Sequence, residues 1–315
     1  MRSAILNPWP DLANIDLRRT TDTLHLWCQI VGKVRFAKTP WVDHTWHVPL
    51  YVSARGLSTG LVPDGARAFE IEFDFIAEAL VLRGTDGREG RVPLRLGSVA
   101  DFYQMVMLAL GELDVVVTIT PTPCELSDAV PFARDEVARP FDPAVARTYW
   151  RALIQVERVF QVFRTRFQGK CSPIHLFWGS FDLAVTRFSG RPATVHPGGF
   201  PHLSDAVVRD AYSREQAGVG FWPGSGEMAE PSFYAEAYPV PAAYAAGSVA
   251  PADARYDPAL REFVLPYSTV RAAADPDGDL LQFLQSTYEA VAVPDRWDRQ
   301  ALEGPQGPVG RSPSF

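Results

Sequence analysis

The chain repeats itself. His47 opens HVPLYVSARGLSTG and His175 opens HLFWGSFDLAVTRFSG, each run ending at a glycine, Gly60 or Gly190. Each follows an amphipathic stretch with a glutamine at a matching place, Gln29 or Gln155. Later, RVPLRLGSV (91–99) is echoed by EFVLPYSTV (262–270), and each leads into helical periodicity. Self-similarity over such a span limits the fold to two related units. Two such units normally pack about a pseudo-twofold axis, which brings equivalent residues face to face. A site shared by His47 and His175 is the direct expectation.

The local patterns give the class. AFEIEFDFI (68–76) alternates strictly, with Phe69, Ile71, Phe73 and Phe75 inward and Glu70, Glu72 and Asp74 outward. That is a half-buried strand, with the carboxylates on its solvent face. Helical spacing predicts helices from Thr20 to Lys38, from Ser98 to Leu113, from Pro143 to Phe167 and over Leu280 to Val291. Thr20 or Thr21 is expected to cap the first and Asp142-Pro143 to open the third. Strands are predicted at Trp46–Ser53, Val115–Thr120, Val219–Trp222, Ser232–Tyr238 and Glu262–Pro266. Strands do not alternate regularly with helices, so the reading is α+β: two antiparallel sheets backed by helices. One compact body is expected over 1–302, with repeats at about 17–120 and 144–293 and a Pro- and acid-rich connector at 121–143. The run GPQGPVGRSPSF lacks core-forming residues, and a disordered tail is expected over 303–315.

Composition narrows the function. A net charge of −7 argues against general nucleic-acid binding. No apolar run approaches the length of a membrane span and no apolar leader is evident, which points to a cytoplasmic protein. Three cysteines without paired spacing fit a reducing compartment. Of 30 basic residues only Lys33, Lys38 and Lys170 are lysine. Lys33 and Lys170 each follow a glycine and precede a histidine segment. They are either solvated cations near helix ends or groups kept because lysine, unlike arginine, can shed its proton when buried.

The six histidines form no established metal motif. A two-histidine, one-carboxylate set for iron or zinc can still be assembled from His44, His47, His175 and Glu215 or Asp182. The competing reading places His47 and His175 in the core, bonded to backbone. Cys171 beside Lys170 is better read as structural than as a nucleophile. GxxxxGK[ST] and GxSxG are both absent. The loop at 189–203 carries His196 and His202 between glycines and prolines and is a candidate lid.

The blocks WCQIVGKVRFAKTPWVDHTWHVPLYVSARGL, GKCSPIHLFWGSFDLAVTRFSGR and YSREQAGVGFWPG, in this order, resemble a bacterial family catalogued as domain of unknown function 5996. The resemblance spans about Pro8 to Leu302 and implies no established activity. Two functional readings follow. One is a small-molecule enzyme with a site between the repeats, with His47, His175, Lys170, Asp182 and Glu215 as its working groups. The other is a non-catalytic small-molecule or protein-binding module, with structural histidines and a pocket formed by Trp178, Arg187, Trp222 and Tyr234. Oligomeric state is left open.

Overall fold

The computed structural model describes residues 7–224 and 230–310. Part of the Gly-rich segment before Ser232, at 225–229, and the tail residues 311–315 lie outside them. Helix α1 (Leu17–Lys38) leads into strands β1 (Tyr51–Val52), β2 (Gly56–Ser58), β3 (Val62–Asp64), β4 (Arg67–Asp74), β5 (Ala79–Gly84) and β6 (Glu89–Pro93). β7 (Gly97–Ser98) and α2 (Val99–Glu112) follow, then β8 (Ala138–Arg139) and α3 (Pro143–Thr165). The second set of strands is β9 (His175–Phe177), β10 (Asp182–Pro192), β11 (Arg214–Trp222), β12 (Ser232–Tyr238), β13 (Arg255–Asp257) and β14 (Glu262–Pro266). α4 (Asp205–Ala211) lies between β10 and β11, and α5 (Tyr267–Ala272), α6 (Pro276–Ala292) and α7 (Arg299–Leu302) close the chain.

The fold is α+β with two six-stranded antiparallel sheets. The first runs β1-β2-β4-β5-β6 with β3 on β4; the second runs β13-β14-β12-β11-β10-β9. Leu50 and Leu176 exchange both backbone hydrogen bonds at 2.9 Å, so the sheets meet at the β1 and β9 edges. In the first sheet Phe69, Ile71 and Phe73 are buried as the alternation requires. Phe73 faces Phe102 of α2, which stacks on Trp27 of α1 at 4.5 Å. In the second, Leu183, Val185, Val219, Phe221, Phe233 and Leu265 are buried on one face against α3 and α6. A continuous core runs from Trp9 to Trp297.

The helix ends follow the chemistry of their caps. Asp142 accepts from the N–H groups of Ala144 and Val145 with Pro143 at the first position of α3, and Ser98 and Asp101 form a capping box on α2. Thr20 and Thr21 do not cap α1. The helix starts earlier, at Leu17, and the Thr21 hydroxyl donates to the Leu17 carbonyl inside it.

Three other expectations are corrected. Trp46–Ser53 is not one strand. The chain is still turning there, with Trp46 in helical backbone (φ −67°, ψ −2°) and the Val48 N–H donating to the Thr45 carbonyl at 3.1 Å, and only Tyr51–Val52 pairs. Val115–Thr120 alternates in burial but belongs to neither sheet, and Val116 is exposed. Glu72 and Asp74 are not solvated. Glu72 accepts from Ser53 at 2.7 Å and Arg83 at 2.9 Å, and Asp74 from Arg55 at 2.5 Å and from two backbone N–H groups. The polar face of β4 is covered by its own ion pairs. Of the expected tail, Glu303 bridges to Phe167 and Gly304 donates to the Arg166 carbonyl.

Candidate functional site

The second sheet has two faces, and the one turned away from α3 and α6 floors a cavity of about 640 Å³. Its residues recur with period two along each strand. Asp182, Ala184 and Thr186 come from β10; Gln216, Gly218 and Trp222 from β11; Ser232, Tyr234 and Glu236 from β12; and Glu262 from β14. Walls come from α1 (Lys33, Phe36), the segment His44–Val48, the β9–β10 turn (Trp178, Gly179, Ser180), α4 and the loop Phe200–Ser204. The connector contributes Cys124 and Glu125.

Glycines shape the floor. Gly218 pairs with Glu236 and Gly220 with Tyr234 in the register of β11 and β12. A Cβ at Gly218 would stand 2.8 Å from the Glu236 carboxyl, and one at Gly220 2.4 Å from the Tyr234 ring. Without those methyls the two side chains lie across β11 towards β10. There the Tyr234 hydroxyl donates to Asp182, and the Ser180 hydroxyl donates to its other oxygen. Glu125 is placed by a similar device. The Gln29 amide clasps the Cys124 backbone, accepting from its N–H at 3.1 Å and donating to its carbonyl at 2.8 Å. The Glu125 N–H donates to the Pro201 carbonyl at 2.7 Å. Gly179 leaves the room that the carboxyl fills, since a Cβ there would lie 1.9 Å from it.

Four carboxyl groups thus face one cavity whose walls carry the rings of Phe36, Trp46, Trp178 and Phe200. Burial is the first cause of their raised pKa values, and for the three glutamates repulsion from neighbouring carboxylates is the next. Glu125 is raised to about 7 by burial and then by Asp182, with Lys33 opposing. Glu236 is raised to about 7 by burial and Asp182, and Glu262 to about 8 by burial and the carboxylates of Glu236 and Asp182. Asp182 is raised by burial, which the bonds from Ser180 and Tyr234 oppose. Near neutral pH the cluster keeps protons, so it offers donors as well as acceptors to whatever enters. Among the described residues no three His, Cys, Asp or Glu side chains are grouped to hold a metal ion.

The structure brings Asp182, Trp178, Trp222 and Tyr234 together at this cavity, with His44 on its wall. His44 bolts the His44–Val48 segment to α4, through its N–H to Asp210 and its Nδ1 to the Ala211 carbonyl, both at 2.9 Å. Lys170 stands beside the wall, paired to Asp43 at 2.5 Å and poised over the Trp46 and Phe188 rings. The remaining sequence candidates lie elsewhere. Arg187 is buried on the opposite face of β10, against Phe163 and Tyr288, and burial lowers its pKa to about 10. Glu215 accepts from Ser189 and Arg191, both at 2.8 Å. His47 accepts from the Val42 N–H at 3.2 Å, beside Trp41 and Phe36.

His175 has no solvent exposure and, among the described residues, no partner for either ring nitrogen. Trp46, Tyr51 and Phe177 meet its ring edge to face. Burial, then Arg35 and Arg164, lower its pKa to about 3, so the ring is neutral. Because both nitrogens are unpaired, His175→Phe is expected to leave stability unchanged or raise it by up to about 1 kcal/mol. Urea midpoints of the two proteins check this; a loss of several kcal/mol would show that the imidazole does something a phenyl ring cannot.

Glu125, Glu236 and Glu262 are absent from the sequence candidates. A signal for Glu236 is present all the same. SFYAEAY alternates apolar residues with Tyr234 and Glu236, and the neighbouring AGVGFW alternates glycines in step. Large polar side chains on one strand beside glycines on the next indicate side chains crossing the sheet. Glu125 carries no such signal, since it sits in an irregular connector at left-handed φ.

The match to a family model covers residues 9–304. The chain belongs to a family of unknown function, DUF5996. No curated protein and no solved structure matches it. For this DUF5996 protein, functional evidence therefore comes from its own site.

Proposed function

We propose that this DUF5996 protein takes up a small organic molecule in the 640 Å³ cavity and moves protons on it with the carboxyl cluster. The observation that carries the reading is the convergence of Glu125, Asp182, Glu236 and Glu262 on one aromatic-walled space. Concave apolar sites with a few converging polar groups are the usual form of small-molecule sites, and carboxyls with raised proton affinity suit acid–base work near neutral pH. Asp182, held as an acceptor by Ser180 and Tyr234, is the base; Glu125, Glu236 and Glu262 are donors. A cytoplasmic setting and a small-molecule rather than nucleic-acid partner accord with the acidic balance. Among the described residues no helix is long and apolar enough to cross a membrane.

The pseudo-twofold organisation belongs to the same reading. In chain order a helix precedes the six strands of each sheet and another helix follows them, with β7 added before α2 in the first half and α4 inserted between β10 and β11 in the second, and the two sheets join at Leu50 and Leu176. The cavity is then floored by the second sheet and walled in part by the first half, through Lys33, Phe36 and His44–Val48. In a non-catalytic binding module the same cavity would hold its ligand unchanged.

A thermal-shift screen of small molecules tests the proposal, run in parallel on Leu203→Trp. Leu203 sits half-buried on the covering loop, so a larger ring there obstructs the cavity without entering the sheets. Ligands at about a hundred times their Kd should raise Tm by about 5 °C in the native protein and much less in the variant. Equal shifts in both, or none in a broad library, would refute a cavity ligand. Turnover of the hits separates an enzyme from a carrier.

A further inference from the structure

We infer that Lys33 is a covalent anchor in this cavity, its amine condensing with the carbonyl carbon of an aldehyde or ketone ligand. This rests on the reading of the cavity as a ligand site. The three lysines of the chain differ sharply in surroundings. Lys38 is paired to Asp64 at 2.7 Å and Lys170 to Asp43 at 2.5 Å. Lys33 is 6% exposed and lines the cavity. Among the described residues it has no hydrogen-bond partner and no carboxylate within 4.0 Å; the Trp178 ring, 5.7 Å from its nitrogen, is its one cation–π neighbour. A buried ammonium without a partner is costly, and a neutral amine avoids the cost. Burial lowers the Lys33 pKa, with Cys124 and Glu125 opposing. Arginine, which supplies nearly all other basic residues of the chain, cannot become a neutral nucleophile.

The other charges select the ligand class. An anion drawn to Lys33 would also face Asp182, the base of the cluster, and every proton lost from Glu125, Glu236 or Glu262 would add a further repelling charge. A neutral carbonyl compound meets no such repulsion, and its apolar body suits the aromatic walls. The nearby Glu125 carboxyl supplies the proton traffic. The Lys33 nitrogen adds to the carbonyl carbon while Glu125 protonates the oxygen, giving a carbinolamine. The nitrogen returns its proton to Glu125, which passes it to the hydroxyl. The C–O bond breaks, water leaves and C=N forms as an iminium, whose remaining N–H proton returns to the Glu125 carboxylate. Carbonyl and amine become imine and water, with no net change of oxidation state.

Reductive trapping on the full chain tests this, with benzaldehyde and cyanoborohydride at pH 7 and peptide mapping by mass spectrometry. All three lysines are compared within one folded molecule, so no variant has to fold for the answer. Lys33, although the most buried, should gain the benzyl group at least about tenfold faster than Lys38 or Lys170. Leu203→Trp should slow Lys33 alone. Labelling in order of exposure, with Lys33 last, would overturn the inference, as would Lys33 labelling that Leu203→Trp leaves unchanged. Benzyl alcohol, of similar shape but without the carbonyl, is run by thermal shift alongside. If it stabilises the native protein more than Leu203→Trp while Lys33 stays unlabelled, the anchor fails and the cavity reading stands. If neither benzaldehyde nor benzyl alcohol engages the cavity, the anchor fails, and the library screen decides the cavity reading separately.

Discussion

Replacing Glu262 with glutamine should stabilise the protein at pH 8 by about 2–4 kcal/mol and change it little at pH 4. Burial, with the carboxylates of Glu236 and Asp182, raises the Glu262 pKa from 4.5 to about 8. The native state therefore keeps a proton that the unfolded chain gives up at much lower pH. Between those two values the folded form binds more protons, so stability falls as pH rises. The Glu262 contribution is whole below 4.5 and lost once the pH has climbed through about 8. A tenfold difference in proton affinity between folded and unfolded chain corresponds to about 1.4 kcal/mol, and the contact of this half-buried carboxyl with water at the cavity reduces the total. Glu236, raised to about 7, acts in the same sense over a narrower window. Glutamine keeps the shape and has no charge to acquire. Urea midpoints of both proteins at pH 4, 6 and 8, with unchanged m, measure the effect. A native-minus-variant difference that does not grow from pH 4 to pH 8, or a variant weaker than the native protein at pH 8, would contradict this account of the cluster.

That cluster marks the boundary of what the sequence reveals. Period-two alternation is a local property, and it identifies β4 and β12 because each side chain's face follows from the backbone. It does not say what covers the polar face. On β4 the covering groups are Ser53, Arg55 and Arg83, so Glu72 and Asp74 are neutralised in place. On β12 they are other carboxyls and open space, so Glu236 keeps a proton. The two strands look alike in sequence and differ only through partners far along the chain. Histidine stands out by its scarcity, yet His175 is packed among aromatic rings. Asp182, Trp178 and Trp222 are legible in the sequence because the blocks holding them combine aromatic bulk with glycine, and Tyr234 because it sits in an alternating aromatic strand. Glu125 is not, because a connector has no period to read.

Gly32→Ala should destabilise the protein by about 2–3 kcal/mol, against the sign that helix propensity gives. Gly32 lies inside α1, where alanine normally gains about 1 kcal/mol over glycine. Here an added Cβ would stand 2.2 Å from the Trp178 indole nitrogen. That indole is 8% exposed and donates to the Val48 carbonyl at 2.9 Å, so it cannot yield without leaving a buried carbonyl unpaired. Overpacking of about 1–3 kcal/mol plus a lost buried hydrogen bond of about 1–2 kcal/mol outweighs the backbone gain. Trp178→Phe supplies the control. Alone it costs the bond to Val48; combined with Gly32→Ala it frees the space the methyl needs. A double-mutant cycle in urea should therefore show the pair at least about 1 kcal/mol more stable than the sum of the single changes. Strict additivity would mean that Gly32 and Trp178 are not in contact. A stabilising Gly32→Ala would mean that Trp178 leans away from α1, and the wall of the cavity that holds Lys33 would have to be drawn differently.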